Sequence, residues 1–513
     1  MKFFDLTQIA LLGTERQNLA VPASSSALAQ VQARVDLKQR ERALLSLAAL
    51  ADLHERIGAL PPRWAGAPPP RSPPEQRPRA GALAGSLLVR MLGGEHVHLL
   101  PEWLRLAHRS DWLAPPETLP GLLGLGSSKP ELRAPIVSVL GERGHWLAAQ
   151  NAEWSWAVGA TTLDENLWHT GDRSVRLNFL QQLRRTQPAR ARELLAATWK
   201  NEEPDDRAAF LLTLTEGLSA DDEPWLEAAL DDKRKEVRRE AASLLSKLPG
   251  SAFVRRMIER LRPLLTFTPA RTGSGLRLKK TKPAAIEVTL PDGCDKAMQR
   301  DGIDLKPRQG IGEKAWWLMQ MLEAVPLDFW TREWNCAAVE IIQASDETEW
   351  AKELFHAWAS GAIRQQNSHW AEVLFVAAIE RKRFDWLLNL FTALRPEQRE
   401  AQLAAMLEAN DKKVRDLHGS LLDACKHDWS AGFSRAALAY LKREAALPSG
   451  DWSLRNHLRE FAGYLAPEIL AEAARGWPTE SADWEFWSKG VDEFLAVVQF
   501  RTDLHNAFQQ RQP

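Results

Sequence analysis

The sequence predicts an all-α chain, an α-solenoid of stacked helical hairpins with a short central insertion that is non-helical and partly β. Three observations lead there. Apolar residues recur at helical spacing along most of the chain, acidic turns restart one helix after another, and a single stretch, 266–312, breaks that pattern with alternating residues and turn signals. At 513 residues the chain exceeds what one compact core holds, as expected for several domains or one extended array.

The elements follow in order. Residues 1–60 form an N-terminal helical region. In it Ala27–Leu60 reads as at least one long helix with Leu44, Leu45, Leu47, Leu50 and Leu53 on one face. Residues 61–82 are rich in proline, which forbids regular helix and favours extended geometry, so they read as a linker. A PxxP partner motif is the alternative there.

Residues 83–265 read as helical repeats. In Lys233–Leu248 the set Val237, Ala241, Leu244, Leu245 and Leu248 makes one amphipathic stripe. Asp221-Asp222-Glu223-Pro224 supplies carboxylates for a helix N-terminus and a proline for its first turn, and Asp231-Asp232 opens the next helix. One copy earlier, Leu194, Leu195 and Trp199 precede Glu202-Glu203-Pro204-Asp205-Asp206-Arg207 and then Phe210, Leu211, Leu214 and Leu218. Each copy has an apolar first helix, an acidic turn, an early arginine (Arg207 or Arg238) and a leucine stripe.

These residues resemble HEAT repeats, above all Pro224–Asp232 followed by Val237-Arg238 and Ala241-Ala242. The resemblance implies that Asp231, Asp232 and Arg238 are structural turn residues, bonding to turn carbonyls and between neighbouring repeats. It is specific for this hairpin and drifts outside 172–265.

Within 266–312, Leu276–Lys280 and Ala285–Leu290 alternate as one or two strands, and Asp292-Gly293 and Asp301-Gly302 mark turns. Helices resume over 313–513, where Trp316, Trp317, Met319 and Leu322, then Trp350, Leu354 and Trp358, fall at helical spacing. The chain holds 22 Trp beside 2 Tyr. Such indoles either wedge between helices or line a ligand-facing aromatic groove.

Lys and Arg number 66 against 67 Asp and Glu, so no global field draws the chain to nucleic acid or an anionic surface. The three cysteines, Cys294, Cys336 and Cys425, are too few and too dispersed for a disulfide framework, which points to a reducing compartment. Without a recognisable signal peptide or an apolar run long enough to span a bilayer, the expectation is a cytoplasmic protein that no membrane holds.

Searches for chemistry return little. Gly121–Gly126 and Gly273-Ser274-Gly275 lack the Lys-Ser/Thr ending and the strand that phosphate loops need. Glu95-His96-Val97-His98 has no HExxH spacing, and its histidines would meet only on an extended strand; Cys425-Lys426-His427-Asp428 has no companion ligand pair. No GxSxG elbow occurs, and the paired aspartates are explained by helix capping. The expectation is therefore no catalytic, cofactor-binding or metal residues and no cofactor.

One charge feature stands out: Arg255, Arg256, Arg260, Arg262, Arg271, Arg277, Lys279, Lys280 and Lys282, relieved only by Glu259. It could neutralise several phosphates or meet an acidic protein, though its only aromatic neighbours are Phe253 and Phe267.

Leu11–Arg16, the Asp221–Pro249 hairpin, Arg300–Ile303 and Gly312–Leu318 together resemble a bacterial family catalogued only as a domain of unknown function. That resemblance implies a helical-repeat protein encoded near a MoxR-type AAA ATPase, a von Willebrand A-domain protein and a SWIM zinc-finger protein, and transfers no catalytic residues. The functional expectation is a non-enzymatic scaffold or adaptor for protein–protein interaction. Its partner-binding candidates are Arg277, Lys279, Lys280, Lys282, Asp301, Trp316 and Trp317, and the alternative is a nucleic-acid binder using 255–282.

Overall fold

The computed structural model describes residues 3–17, 19, 27–58, 70–158, 165–272, 281–409, 414–448 and 451–509. They divide into two compact units, 1–72 and 73–513. Both are helical, and the only sheets among the described residues are two antiparallel pairs in the central insertion, as the predicted fold class requires.

The first unit is small. Helices Phe3–Leu12 and Arg40–Gly58 share a core of Leu6, Leu47 and Ala51. The expected continuous helix from Ala27 is broken, since helix Ala27–Gln32 ends before a turn in which the Asp36 carboxylate accepts the Lys38 N–H at 3.0 Å. The expected single apolar face is also narrower than supposed. Leu47 is buried, but Leu45 and Leu53 point outward, about a quarter turn or more from the buried stripe of Ala43, Leu47 and Ala51.

The second unit begins where proline should have left a free linker. Residues 61–69 of that stretch lie outside the described residues; 70–80 are extended but tied down. The Ala80 N–H donates to the Leu113 carbonyl and the Leu113 N–H to that of Pro78. Glu75 accepts the N–H groups of Glu142 and Arg143 where Gly141, at φ +65°, kinks a helix.

From there one apolar core runs from Ala84 to Ala507. The predicted stripe is buried, with Val237, Ala241, Leu244 and Leu245 all inside. Trp103, Trp168, Trp330, Trp358, Trp370 and Trp487 are fully buried between helices, so packing accounts for these six indoles. Gly121–Gly126 lies in helix Leu119–Ser128. There a Cβ on Gly126 would stand 2.3 Å from the Trp156 ring, so the glycine makes room for an indole rather than a phosphate.

Arginines fix the stacking of successive pairs. Arg176 pairs with Glu202, Arg207 with Asp232 at 3.1 Å, and Arg238 donates to the Asp232 and Lys233 carbonyls, so Arg176, Arg207 and Arg238, equally spaced along the chain, each clamp an acidic turn. Arg184 and Arg192 meet across Asp222, which is wholly buried. An open array exposes two ends and needs polar caps. Here the last helix, Trp484–Gln509, packs on Ala82–Leu92 and Leu100–Arg109 instead. Its Arg501 reaches Glu102 through two hydrogen bonds of 2.6 and 2.8 Å, and His505 Nε2 donates at 2.8 Å to the same carboxylate.

The insertion is a narrow hairpin. β1 (Leu265–Thr268) pairs antiparallel with β4 (Ala285–Val288), Leu265 opposite Val288, and β2 (Arg271–Thr272) pairs with β3 (Thr281–Lys282). The strand expected over Leu276–Lys280 lies outside the described residues.

Candidate functional site

The chain returns from the hairpin through the short helix Lys296–Arg300, which the Asp295 side chain caps, into an irregular loop reaching helix Glu313–Ala324. Asp301, at the head of that loop, is 2% exposed and forms ion pairs with Arg256 and Arg260 at 2.8 Å each. Arg300 bonds Asp231 at 2.6 Å and the Glu227 carbonyl. Hydrogen bonding to Arg300 holds the Asp231 carboxyl below its ordinary value.

Gly302 then turns at φ +85° against helix Lys235–Leu245, where a Cβ would sit 3.0 Å from the Ala242 Cβ. Only glycine combines that angle with so close an approach. Two residues on, Gln320 clamps Asp304, accepting its N–H at 2.8 Å and donating to its carbonyl at 3.1 Å.

The result is an open cleft of about 400 Å3 between helix Lys235–Leu245, the 301–308 loop, helix Glu313–Ala324 and Arg364 of helix Ala351–Gln365. That volume falls within the usual range for ligand sites. Its floor is apolar, with Phe253, Ile303 and Ala324, and its walls carry both signs of charge.

Two of its cations are committed. Arg364 pairs with Glu323 at 2.5 Å, and Arg239, more than half exposed, with Asp304 at 2.9 Å. Lys306 and Arg308 are exposed and bond no carboxylate; the Arg308 guanidinium lies 5.1 Å over the Trp316 ring. Glu240 is half-buried in the opposite wall, and burial raises its carboxyl above the ordinary value against the Arg239 and Lys247 charges. A second cavity of about 170 Å3, lined by Lys235, Arg238 and Leu305, adjoins the same loop on its far side. The arrangement can hold an anion at its rim and apolar atoms on its floor.

The sequence-predicted residues fall differently. Asp301, Trp316 and Trp317 are buried, and the first two shape the cleft from behind, so none presents a free surface. Lys282 is exposed on β3, away from the residues that line the cleft. Arg277, Lys279 and Lys280 lie outside the described residues. Asp232 and Arg238 sit in the repeat turn and bond as described above, while Asp231 binds Arg300. Sequence reasoning passed over Arg239, Glu240, Lys306, Arg308 and Arg364. A signal existed for the loop alone, where Asp301-Gly302 announces a turn beside three helices; nothing in the sequence brings Arg364 to it.

Among the described residues, Asp423, His457 and Glu460 bring ligand atoms within 4.8 Å of one another. Lys426 stands 3.7 Å from the Asp423 carboxylate and competes for it. His96 and His98 do approach, ring centroids 6.0 Å apart, without any strand: His96 takes a left-handed conformation at φ 49°. His427 bonds Glu400 at 3.1 Å, and burial pushes the Cys425 thiol up to about 12, far from a reactive thiolate.

Fold and site together define a stacked helical array that carries a mixed-charge cleft at the root of a β-hairpin insertion. The chain belongs to a family of unknown function (DUF5691), whose model matches residues 5–508. No curated protein matches it significantly. No helix among the described residues is long and apolar enough to cross a membrane.

Proposed function

We propose that the chain is a non-enzymatic scaffold or adaptor, a HEAT-like helical array acting in the cytoplasm that docks a protein partner at the cleft beside the insertion. The observation that carries this reading is the contrast at the 301–308 loop. Its base is locked by the Asp301–Arg256–Arg260 ion pairs and by Gly302, while Lys306 and Arg308 at its rim are exposed and bond no carboxylate. A recognition loop on a rigid base loses little entropy on binding.

The family resemblance supplies the partners to test: a MoxR-type AAA ATPase and a von Willebrand A-domain protein. Mixed as purified full-length proteins, the chain and at least one of the two should co-elute in size-exclusion chromatography. Separate elution of all three at concentrations of tens of micromolar would end the adaptor reading. Deleting 266–308 is a poor test, since it removes Ile286, Met298, Asp301 and Ile303 from the interior.

The nucleic-acid alternative loses part of its charge. Arg256 and Arg260 are spent on Asp301, and Arg262 pairs with Glu333 at 2.8 Å. Phe253 is buried and Phe267 stacks on Trp334, which leaves neither for a base.

A further inference from the structure

We infer that the cleft receives an acidic peptide segment, a side-chain carboxylate meeting Lys306 and Arg308 while the neighbouring apolar atoms settle on the apolar part of the cleft lining. The inference rests on the scaffold reading and names the chemistry of its partner. It starts from the balance of charge around the cavity. Each of two lining cations has its own carboxylate, Arg239 with Asp304 and Arg364 with Glu323, and Asp301 is satisfied from behind by Arg256 and Arg260. What is left uncommitted is Lys306, Arg308 and the half-buried Glu240.

Two cations against one carboxylate attract an anion, but only a small one. Glu240, Asp304 and Glu323 are interleaved with the cations, so a chain of phosphates laid across the cleft would meet a carboxylate wherever it left the Lys306–Arg308 rim. An isolated carboxylate on a peptide avoids them. Arg308 adds a planar fork that fits a carboxylate in two parallel hydrogen bonds. Its stacking on Trp316 holds that fork in place before the ligand arrives. The apolar floor separates this site from a bare anion hole, because free phosphate gains nothing from it.

Glu240 makes the inference specific. It opposes any bound anion, so replacing it with glutamine should tighten binding. A cleft built for a basic ligand would respond in the opposite direction.

The test uses the purified full-length chain and a fluorescein-labelled ten-residue peptide with one central Glu flanked by Leu in a Gly/Ser background, followed by anisotropy at low salt. Controls are the same peptide with Gln for Glu, a single-stranded oligonucleotide of the same length, and inorganic phosphate as competitor. The acidic peptide should bind, and the Gln peptide should bind at least about tenfold more weakly. Lys306→Glu with Arg308→Glu should weaken the acidic peptide by at least about tenfold, the milder Lys306→Gln with Arg308→Gln by less, and Glu240→Gln should strengthen it by a few fold. Unchanged thermal melting confirms that each variant is folded. No binding of the peptide, indifference to the double substitution, tighter binding of the oligonucleotide, or full competition by phosphate would each overturn the inference. If the double variant still co-elutes with the ATPase or the von Willebrand A-domain protein, the scaffold reading stands and the cleft falls; if no complex forms with the wild-type chain either, the scaffold reading falls first.

Discussion

The Glu102–Arg501 contact and the Asp304–Arg239 contact are both arginine–carboxylate pairs that join distant parts of the chain, yet they do opposite work. At the first, Arg501 is 3% exposed, and its guanidinium also donates to the Ala462 and Leu465 carbonyls, so four of its five N–H donors are taken and burial closes it to a ligand. At the second, Arg239 is more than half exposed and makes one bond, beside two further cations that bond no carboxylate at all. What differs is burial. A buried guanidinium must be satisfied or the fold does not form, and an exposed one is free to change partners. The same residue type is a staple between the ends of the 73–513 unit and a contact at the cleft.

The largest effect should come from removing the buried acid. Glu102→Ala strands Arg501 without its counter-charge and deprives His505 of its partner, and the expected loss of stability is about 3–5 kcal/mol, read by denaturant unfolding. A loss below 1 kcal/mol would mean that the last helix contributes little by closing on helix Leu100–Arg109, and the distinction between staple and contact would fail.

Acid sharpens the same point. Burial by itself would raise the Glu102 carboxyl, but hydrogen bonds from His505 and Arg501, with their charges, hold it down at about 2. A carboxyl depressed on folding stabilises the protein above its ordinary value near 4.5, and that stability is lost as pH falls from there through about 2. The difference corresponds to about 3 kcal/mol, so unfolding free energy should drop by roughly that amount across this window. Glu102→Gln should flatten the drop, and an equal slope in that variant would contradict the assignment.

The close approach at the cleft predicts a smaller effect. Gly302 and Gly310 both turn at positive φ, but a Cβ on Gly302 would press on Ala242 and the Arg238 carbonyl, whereas Gly310 faces open space. Gly302→Ala should cost about 2–3 kcal/mol and Gly310→Ala only the backbone strain, about 1 kcal/mol. Equal costs would show that the loop does not rest on helix Lys235–Leu245.

The helical pairs, their acidic turns and the leucine stripe of 233–248 were legible because each is written in spacing that one helix or one turn enforces. The docking of the last helix was not. Arg501 and His505 look like ordinary polar residues on an amphipathic helix, and only the fold brings them to Glu102. The cleft was legible by halves. Asp301-Gly302 announced a turn, but the aspartate that looked like a partner contact is the loop's buried anchor, and Trp316 and Trp317 turn inward with it. The cations that do face outward, Lys306 and Arg308, stand alone in sequence and lack the run of neighbours that drew attention to 255–282. Part of that run is spent on Asp301 and Glu333, because a run of like charges along a helix reveals nothing about which carboxylates the fold will bring to it.

The smallest expected effect decides whether the cleft is a site at all. Lys306→Glu with Arg308→Glu exchanges two exposed cations that bond no carboxylate, so stability should move by no more than about 0.5 kcal/mol, apart from the cation–π contact of Arg308 with Trp316. A loss of 2 kcal/mol or more would place both residues with Arg501 among the structural arginines, and a rim that the fold itself requires would have little freedom to meet a partner. A silent melt combined with lost peptide binding is the opposite signature. It would mark 304–308 as surface held ready by a locked base, since nothing else in the unit would register the change.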